Sequence, residues 1–229
     1  MKKYSHLLFD LDQTLFDFKT SSKMALTQVF AELGLPTEDV TFLEYEIINS
    51  EVWKMLQEGK ISAKDLKGLR WKKFLDKFNL IFDPFEINDF YLDSLVEYTI
   101  VYPKVKDLLK LLFDEFRLIA VTNGLERVQK SRLKISRLTD FFEHVVISEE
   151  IGFAKPQKEY FDHVFKLCYQ PKRNEVIIIG DGLTSDIKGA NNYGIHSIWY
   201  NPEKLDLLPE IQPTYTISKL HETIEILLH

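Results

Sequence analysis

The sequence predicts an α/β protein: a doubly wound parallel sheet with helices on both faces, interrupted near its start by an all-helical insertion. Three observations lead there. Short apolar runs at 6–9, 118–121, 145–147, 176–179 and 197–200 have the length and composition of strands buried on both faces. Stretches of helical spacing alternate with the later runs. Between the first run and the second, from about 21 to 98, apolar residues recur at helical intervals instead.

The first run is brief and ends at Asp10 and Asp12, which places both acids at the carboxyl edge of the first strand. Leu26, Val29, Phe30 and Leu33 then share one face before Gly34, predicting a helix and its stop. Thr41 with Glu44 has capping-box spacing, and Leu43, Ile47, Val52, Met55 and Leu56 carry a second helix to Gly59. Ser62 with Asp65 opens a third, bearing Leu66, Leu69, Phe74 and Phe78. Asp83-Pro84-Phe85-Glu86 supplies the N-cap, the N1 proline and the N3 acid of a fourth. The domain organisation follows: a core from 1–16 and 100–229, and a helical unit at 17–99. Phe16, Trp53 and Trp71 are aromatic surfaces on which a base can stack, although helical spacing favours core for the two tryptophans.

After Pro103, Val105, Leu108, Leu109 and Leu112 form a helical stripe leading into the run at 118–121. The remaining strands follow, with a helical stretch from Tyr160 to Leu167 between the third and the fourth.

Composition narrows the function. A net charge of -6 without long runs of one sign leaves no basic footprint for a nucleic acid polymer and no polybasic membrane patch. No stretch approaches the ~20 apolar residues of a membrane-crossing helix. The single cysteine, Cys168, suits a reducing compartment, and the expectation is a cytoplasmic protein, monomeric or a small homo-oligomer.

The strand ends carry the chemistry. Asp10 and Asp12 follow the first strand, Thr122-Asn123-Gly124 the second and Gly180-Asp181 the fourth, while Lys155-Pro156 precedes a helix. In a parallel sheet these ends lie on one side and converge. Gathered carboxylates repel, and a hard cation held by oxygen ligands, in the manner of Mg²⁺ with a substrate phosphate, relieves that repulsion. Thr122, the N–H groups around Asn123 and Gly124, and the Lys155 ammonium can then hold phosphate oxygens. Plainer roles exist for some: Asp186 can complement a helix dipole, Lys155 can be a surface lysine, and Asn-Gly is a common turn pair.

Asp10-Leu11-Asp12-Gln13-Thr14, Thr122, Lys155, and Gly180-Asp181 through Asp186 together resemble the phosphatases of the haloacid dehalogenase superfamily. Thr122-Asn123-Gly124, Ser148-Glu149-Glu150-Ile151-Gly152 and Ala154-Lys155-Pro156, with Gly182 through Ala190, look closest to its pyrimidine 5'-nucleotidase subgroup. The resemblance implies a Rossmann-like core with a helical cap and a Mg²⁺-dependent phosphomonoester hydrolase acting through an aspartyl-phosphate. Asp10 would be the nucleophile and Asp12 the general acid and base. Asp10, the Asp12 carbonyl and Asp181 would hold the metal, supported by Asp186, and Thr122, Asn123 and Lys155 would hold phosphate. The implied substrate is a small phosphorylated metabolite, a pyrimidine nucleoside monophosphate first. A phosphosugar phosphatase or mutase, or a phospho-accepting signalling domain, are the alternatives. Gln13 stands where many relatives have Gly, in a loop that thereby becomes less permissive.

Overall fold

A computed structural model of the chain describes residues 3–228, so the first two residues and the last of the expected core lie outside the described residues. The chain divides into two compact units, one running up to Asp17 and resuming at Val101, the other Phe18–Ile100.

In the first unit, β1 (His6–Phe9) is followed, after the other unit, by α5 (Val105–Phe113), β2 (Arg117–Thr122), α6 (Glu126–Ile135), β3 (His144–Ile147), α7 (Ser148–Ile151), α8 (Lys158–Leu167), β4 (Val176–Gly180), α9 (Lys188–Tyr193), β5 (His196–Tyr200), β6 (Tyr215–Ile217) and α10 (Thr223–Leu228). Among the described residues the strands form one sheet in the order β3-β2-β1-β4-β5-β6, each pair parallel. Both faces are covered, which is why the strands read as unbroken apolar runs. Leu7 and Phe9 pack with Val105, Leu109 and Leu112 of α5, while Leu8 packs on the opposite face with Phe161 and Val164 of α8 and Ala190 of α9.

β6 escapes the sequence pattern because it is three residues long with Thr216 exposed, too short to show a period. It is anchored beside β5 by a reciprocal pair: Ser197 N–H donates to Thr214 Oγ1 (3.0 Å) and Thr214 N–H to Ser197 Oγ (3.2 Å).

The second unit consists of α1 (Phe18–Glu32), α2 (Asp39–Gln57), α3 (Ala63–Lys77) and α4 (Pro84–Glu97). Its centre is aromatic: Phe30, Tyr45, Trp71, Phe74 and Tyr91 are buried and stack or meet edge to face. Trp71 is core and Trp53 half-buried. The α3 capping box forms as expected, with Ser62 Oγ accepting from Asp65 N–H and the Asp65 carboxylate accepting from Ser62 N–H. The start and the inward face of α2 differ from expectation. The helix is already running at Asp39, so Thr41 is a buried interior residue and Thr41–Glu44 is no cap. Thr41, Phe42, Tyr45, Ile48 and Val52 face inward, leaving Leu43 55% and Ile47 48% exposed. Apolar residues on both sides of α2 offer two stripes, and the aromatic partners of Phe42 and Tyr45 decide between them.

α4 begins where the sequence places it, with the Asp83 carboxylate accepting from the N–H groups of Phe85 (2.7 Å) and Glu86 (3.4 Å). Asp83→Ala leaves both donors to solvent, and a loss of about 1 kcal/mol in urea-unfolding stability is expected.

Candidate active site

Phe9 lies opposite Ala120 of β2 and Ile179 of β4, and Asp10 N–H donates to the Ile179 carbonyl at 2.9 Å. The central strands therefore end together. β1 is also the strand at which the winding reverses, β2 and β3 lying to one side and β4 to β6 to the other, the place where open α/β sheets form a ligand crevice. Asp10, Thr122 and Asp181 all emerge here.

Lys155 binds this edge together. Its side chain is 1% exposed, and Nζ donates to Asp10 Oδ1 (2.6 Å) and the Val121 carbonyl (2.8 Å) and pairs with Asp186 Oδ1 (2.7 Å). Burial alone would lower the lysine's pKa, but Asp10 and Asp186 override it and hold the ammonium above the ordinary range. Burial pushes the Asp10 carboxyl well up, Lys155 opposes that, and Asp186 and Asp181 add to it. Asp181 is pushed up to about 7, first by burial and then by the charge of Asp186. Two ammonium hydrogens are donated, to Asp10 and the Val121 carbonyl, while Asp186 Oδ1 is held as an ion pair, so Lys155 acts on a nearby phosphate chiefly through its charge.

The acids are held from behind. Thr14 Oγ1 accepts from Asp181 N–H (3.1 Å) and donates to Asp181 Oδ1 (3.4 Å), which joins the first sequence motif to the last. Trp199 Nε1 donates to the Asp181 carbonyl at 2.9 Å. Asp186 sits in a single π-helical turn, Leu183–Ile187, a form found often at functional sites. Its Oδ2 accepts from Gly182 N–H (3.1 Å) and its own N–H donates to the Gly182 carbonyl (2.8 Å), so it is buried inside the cluster and does not stand exposed at a helix end. A Cβ at Gly180 would lie 2.6 Å from Asp186 Cγ, so only glycine leaves room for that carboxylate.

Asp10, Asp181 and Asp186 each offer an oxygen within 4.8 Å of the others. Three carboxylates against one ammonium leave two negative charges when all are ionised. Hard oxygen donors with that deficit fit a divalent cation of the magnesium type.

In the loop after β2, Thr122 Oγ1 accepts from Gly124 N–H (3.0 Å) and from Gln129 Nε2 (2.8 Å). A hydroxyl has two acceptor positions and one donor, so its proton is what remains to meet a ligand. The Asn123 side chain is tied to the main chain of Lys155, Oδ1 accepting from its N–H (2.8 Å) and Nδ2 donating to its carbonyl (2.9 Å). With its side chain committed to fixing Lys155, Asn123 can offer a phosphate its main-chain N–H and the second hydrogen of Nδ2. Ser148 Oγ donates to the Asn123 carbonyl (3.0 Å) and Glu149 accepts from Glu126 N–H (2.7 Å), fixing the loop and the start of α6.

Asp12 lies outside the acid trio. Arg132 donates to its Oδ1, and Gln129 Nε2 donates to Oδ2 at 2.7 Å. Gln13 adopts φ +61°, the left-handed region where a glycine would be freer. Phe16 is fully buried under the Arg132 guanidinium, 4.4 Å from its ring centroid, which makes it core and not a surface for a base.

The family model described as haloacid dehalogenase-like hydrolase matches residues 7–200. The chain belongs to this family. Among haloacid dehalogenase-like relatives, the HAD-hydrolase YfnB of Bacillus subtilis is 37% identical over 99% of this chain and 97% of its own. A crystal structure of YfnB bound to magnesium superposes with a TM-score of 0.91 at 36% identity, covering 99% of both chains. The pyrimidine 5'-nucleotidases YjjG of Escherichia coli and PynA of Streptococcus pneumoniae are 31% and 33% identical, each over 98% of this chain and over 98% and 95% of their own. The fold is thus the Rossmann-like α/β core of the haloacid dehalogenase-like hydrolases with a helical unit inserted.

Thr14, Trp199, Gln129 and Arg132 belong to the site, yet the strand-end pattern does not single them out. Thr14 is visible inside its motif. The last two are revealed only by the fold: α6 turns Val128, Gln129, Arg132 and Leu133 inward, and an amide and a guanidinium on a buried face require a buried acceptor.

Because the folded pKa of Asp181 stands near 7 against an ordinary 3.8, the folded protein binds more protons than the unfolded chain between those values. The stabilisation is complete below the lower value and is lost as pH rises through the upper. Metal-free protein should therefore lose urea-unfolding stability between about pH 4 and pH 7, and Asp181→Asn should flatten that slope; a level wild-type profile would contradict the assignment.

Proposed function

We propose that this protein is a Mg²⁺-dependent phosphomonoester hydrolase that uses Asp10 as nucleophile and takes nucleoside 5'-monophosphates, pyrimidine ones first. The observation that carries the reading is the contact of Asp10 with a buried lysine and two further acids at the sheet's switch point, with a second aspartate two residues away. In the first step an Asp10 oxygen bonds to phosphorus as the ester P–O bond breaks, and Asp12 passes its proton to the leaving oxygen, yielding the alcohol and an aspartyl-phosphate. In the second, Asp12 takes a proton from water as the water oxygen bonds to phosphorus, and the bond to Asp10 breaks, releasing phosphate. General acid and base help of this kind contributes about 10²–10⁴-fold.

Asp10, Asp181 and the Asp12 carbonyl would hold Mg²⁺, with Asp186 supporting them. When bound, the ion supplies the charge that lets a phosphate dianion approach Asp10. Thr122 donates its proton to a phosphate oxygen, and the Asn123 N–H and the Lys155 charge stabilise the others in the transition state. The helical unit at 17–99 acts as a cap that selects the leaving group, a common arrangement where reactions must exclude water. The nucleotide reading rests on the likeness to YjjG and PynA, and magnesium on the acid cluster and on the magnesium-bound YfnB structure. No helix among the described residues is long and apolar enough to cross a membrane.

A panel of nucleoside monophosphates, sugar phosphates and aryl phosphates, assayed with and without Mg²⁺, tests this. Mg²⁺-dependent phosphate release led by pyrimidine monophosphates is expected, and Asp10→Asn should lower it by at least about 10³-fold. Near-normal turnover in that variant would remove Asp10 from its role, and a preference for sugar phosphates would overturn the nucleotide assignment.

A further inference from the structure

Asp12 is grasped at both oxygens by one helix. Arg132 donates to Oδ1 and Gln129 to Oδ2, the two residues standing one turn apart on α6 with their side chains buried. Arg132 is itself confined: its guanidinium is fully buried against the Phe16 ring and lies 3.4 Å from Gln129 Oε1. The same Gln129 amide donates its other hydrogen to Thr122, so one side chain spans the acid and the hydroxyl offered to phosphate. A carboxylate has about four acceptor positions, and two donors fix its plane while leaving room for a proton in transit.

We propose that Gln129 and Arg132 are positioning residues that set the plane and reach of Asp12 for proton transfer to the leaving oxygen. This rests on the hydrolase reading above. An acid fixed in this way acts from its first approach, whereas a free side chain spends most of its time in other rotamers. Its value depends on the leaving group: an alkoxide must be protonated as the P–O bond breaks, while 4-nitrophenolate leaves without help.

The test is the rate of aspartyl-phosphate formation, measured by rapid mixing of the Mg²⁺-loaded enzyme with 4-nitrophenyl phosphate and, separately, with uridine 5'-monophosphate. In Gln129→Ala and in Arg132→Met, which keeps an unbranched apolar side chain in the buried position, the ratio of aryl to alkyl cleavage rates should rise at least about tenfold over wild type. KM should move far less than the alkyl rate. Circular dichroism melting identifies a variant that fails to fold, and because the two substitutions differ in bulk and charge, either folded one decides the question. An unchanged ratio, with both esters slowed equally or neither slowed, would overturn the positioning role while leaving the hydrolase reading intact. Wild-type enzyme inactive on both esters would overturn both.

Discussion

The ammonium of Lys155 lies between Asp10, Asp186 and the Val121 carbonyl, and the rest of the candidate site is arranged around it. A charge this deep costs several kcal/mol in desolvation unless its partners are in place, and removal of one partner from such a group is correspondingly severe. Those partners come from the end of β1, the end of β2 and the turn after β4, so the charge is satisfied only when three strands are in register. A slip of one residue would turn Leu7 and Phe9 to the face now held by Leu8 and carry Asp10 away from the lysine. Sheet register and active site are in this sense a single constraint. Asn123 extends it to the main chain, since its amide brackets Lys155 from both sides.

The same cluster is left deficient in positive charge, and the carboxyls of Asp10 and Asp181 are raised first by their burial and then by the neighbouring acids. Protons and a divalent cation compete for the same oxygens, so ion binding here would release protons and strengthen as pH rises. Thr14 and Trp199 hold Asp181 at its main chain as well as at its carboxylate, which leaves little rearrangement for an arriving ion to drive. Ligands fixed in advance are the condition under which electrostatic stabilisation is most effective.

Much of this organisation is legible in the amino-acid sequence, and the reasons differ by element. The buried strands announce themselves because a sheet covered on both faces needs unbroken apolar runs, and the caps at Ser62 and Asp83 because few residue types satisfy free N–H groups. Asp10, Thr122 and Asp181 are brought to one edge because a parallel sheet gathers its strand ends whatever their separation along the chain, and Lys155 reaches them through the Asn123 bracket. The inward face of α2 is not, because apolar residues lie on both sides of it and only the aromatic cluster at Tyr45 and Trp71 selects one. Gln129 and Arg132 are hidden for the opposite reason. Polar residues on a helix ordinarily read as its solvated side, and nothing local reveals that Asp12, more than a hundred residues earlier, is their partner.

Polar side chains pack this closely at the candidate site because Gly124, Gly180 and Gly182 make the space, and none of them is required there by a turn with positive φ. A Cβ at Gly180 would overlap the Asp186 carboxylate, and one at Gly124 would overlap the Gln129 amide, 2.8 Å from its Cδ. In each case the missing methyl lets a buried polar group lie directly on main chain: Asp186 receives the N–H of Gly182, and Gln129 bridges Thr122 and Asp12. The Asn-Gly pair that reads as an ordinary turn thus has a second task, admitting the Gln129 side chain that bonds Asp12 and Thr122. The close packing of the candidate site comes from approach of side chains to backbone beside the strand ends, and this is why residues as ordinary as a glutamine and a glycine shape its geometry.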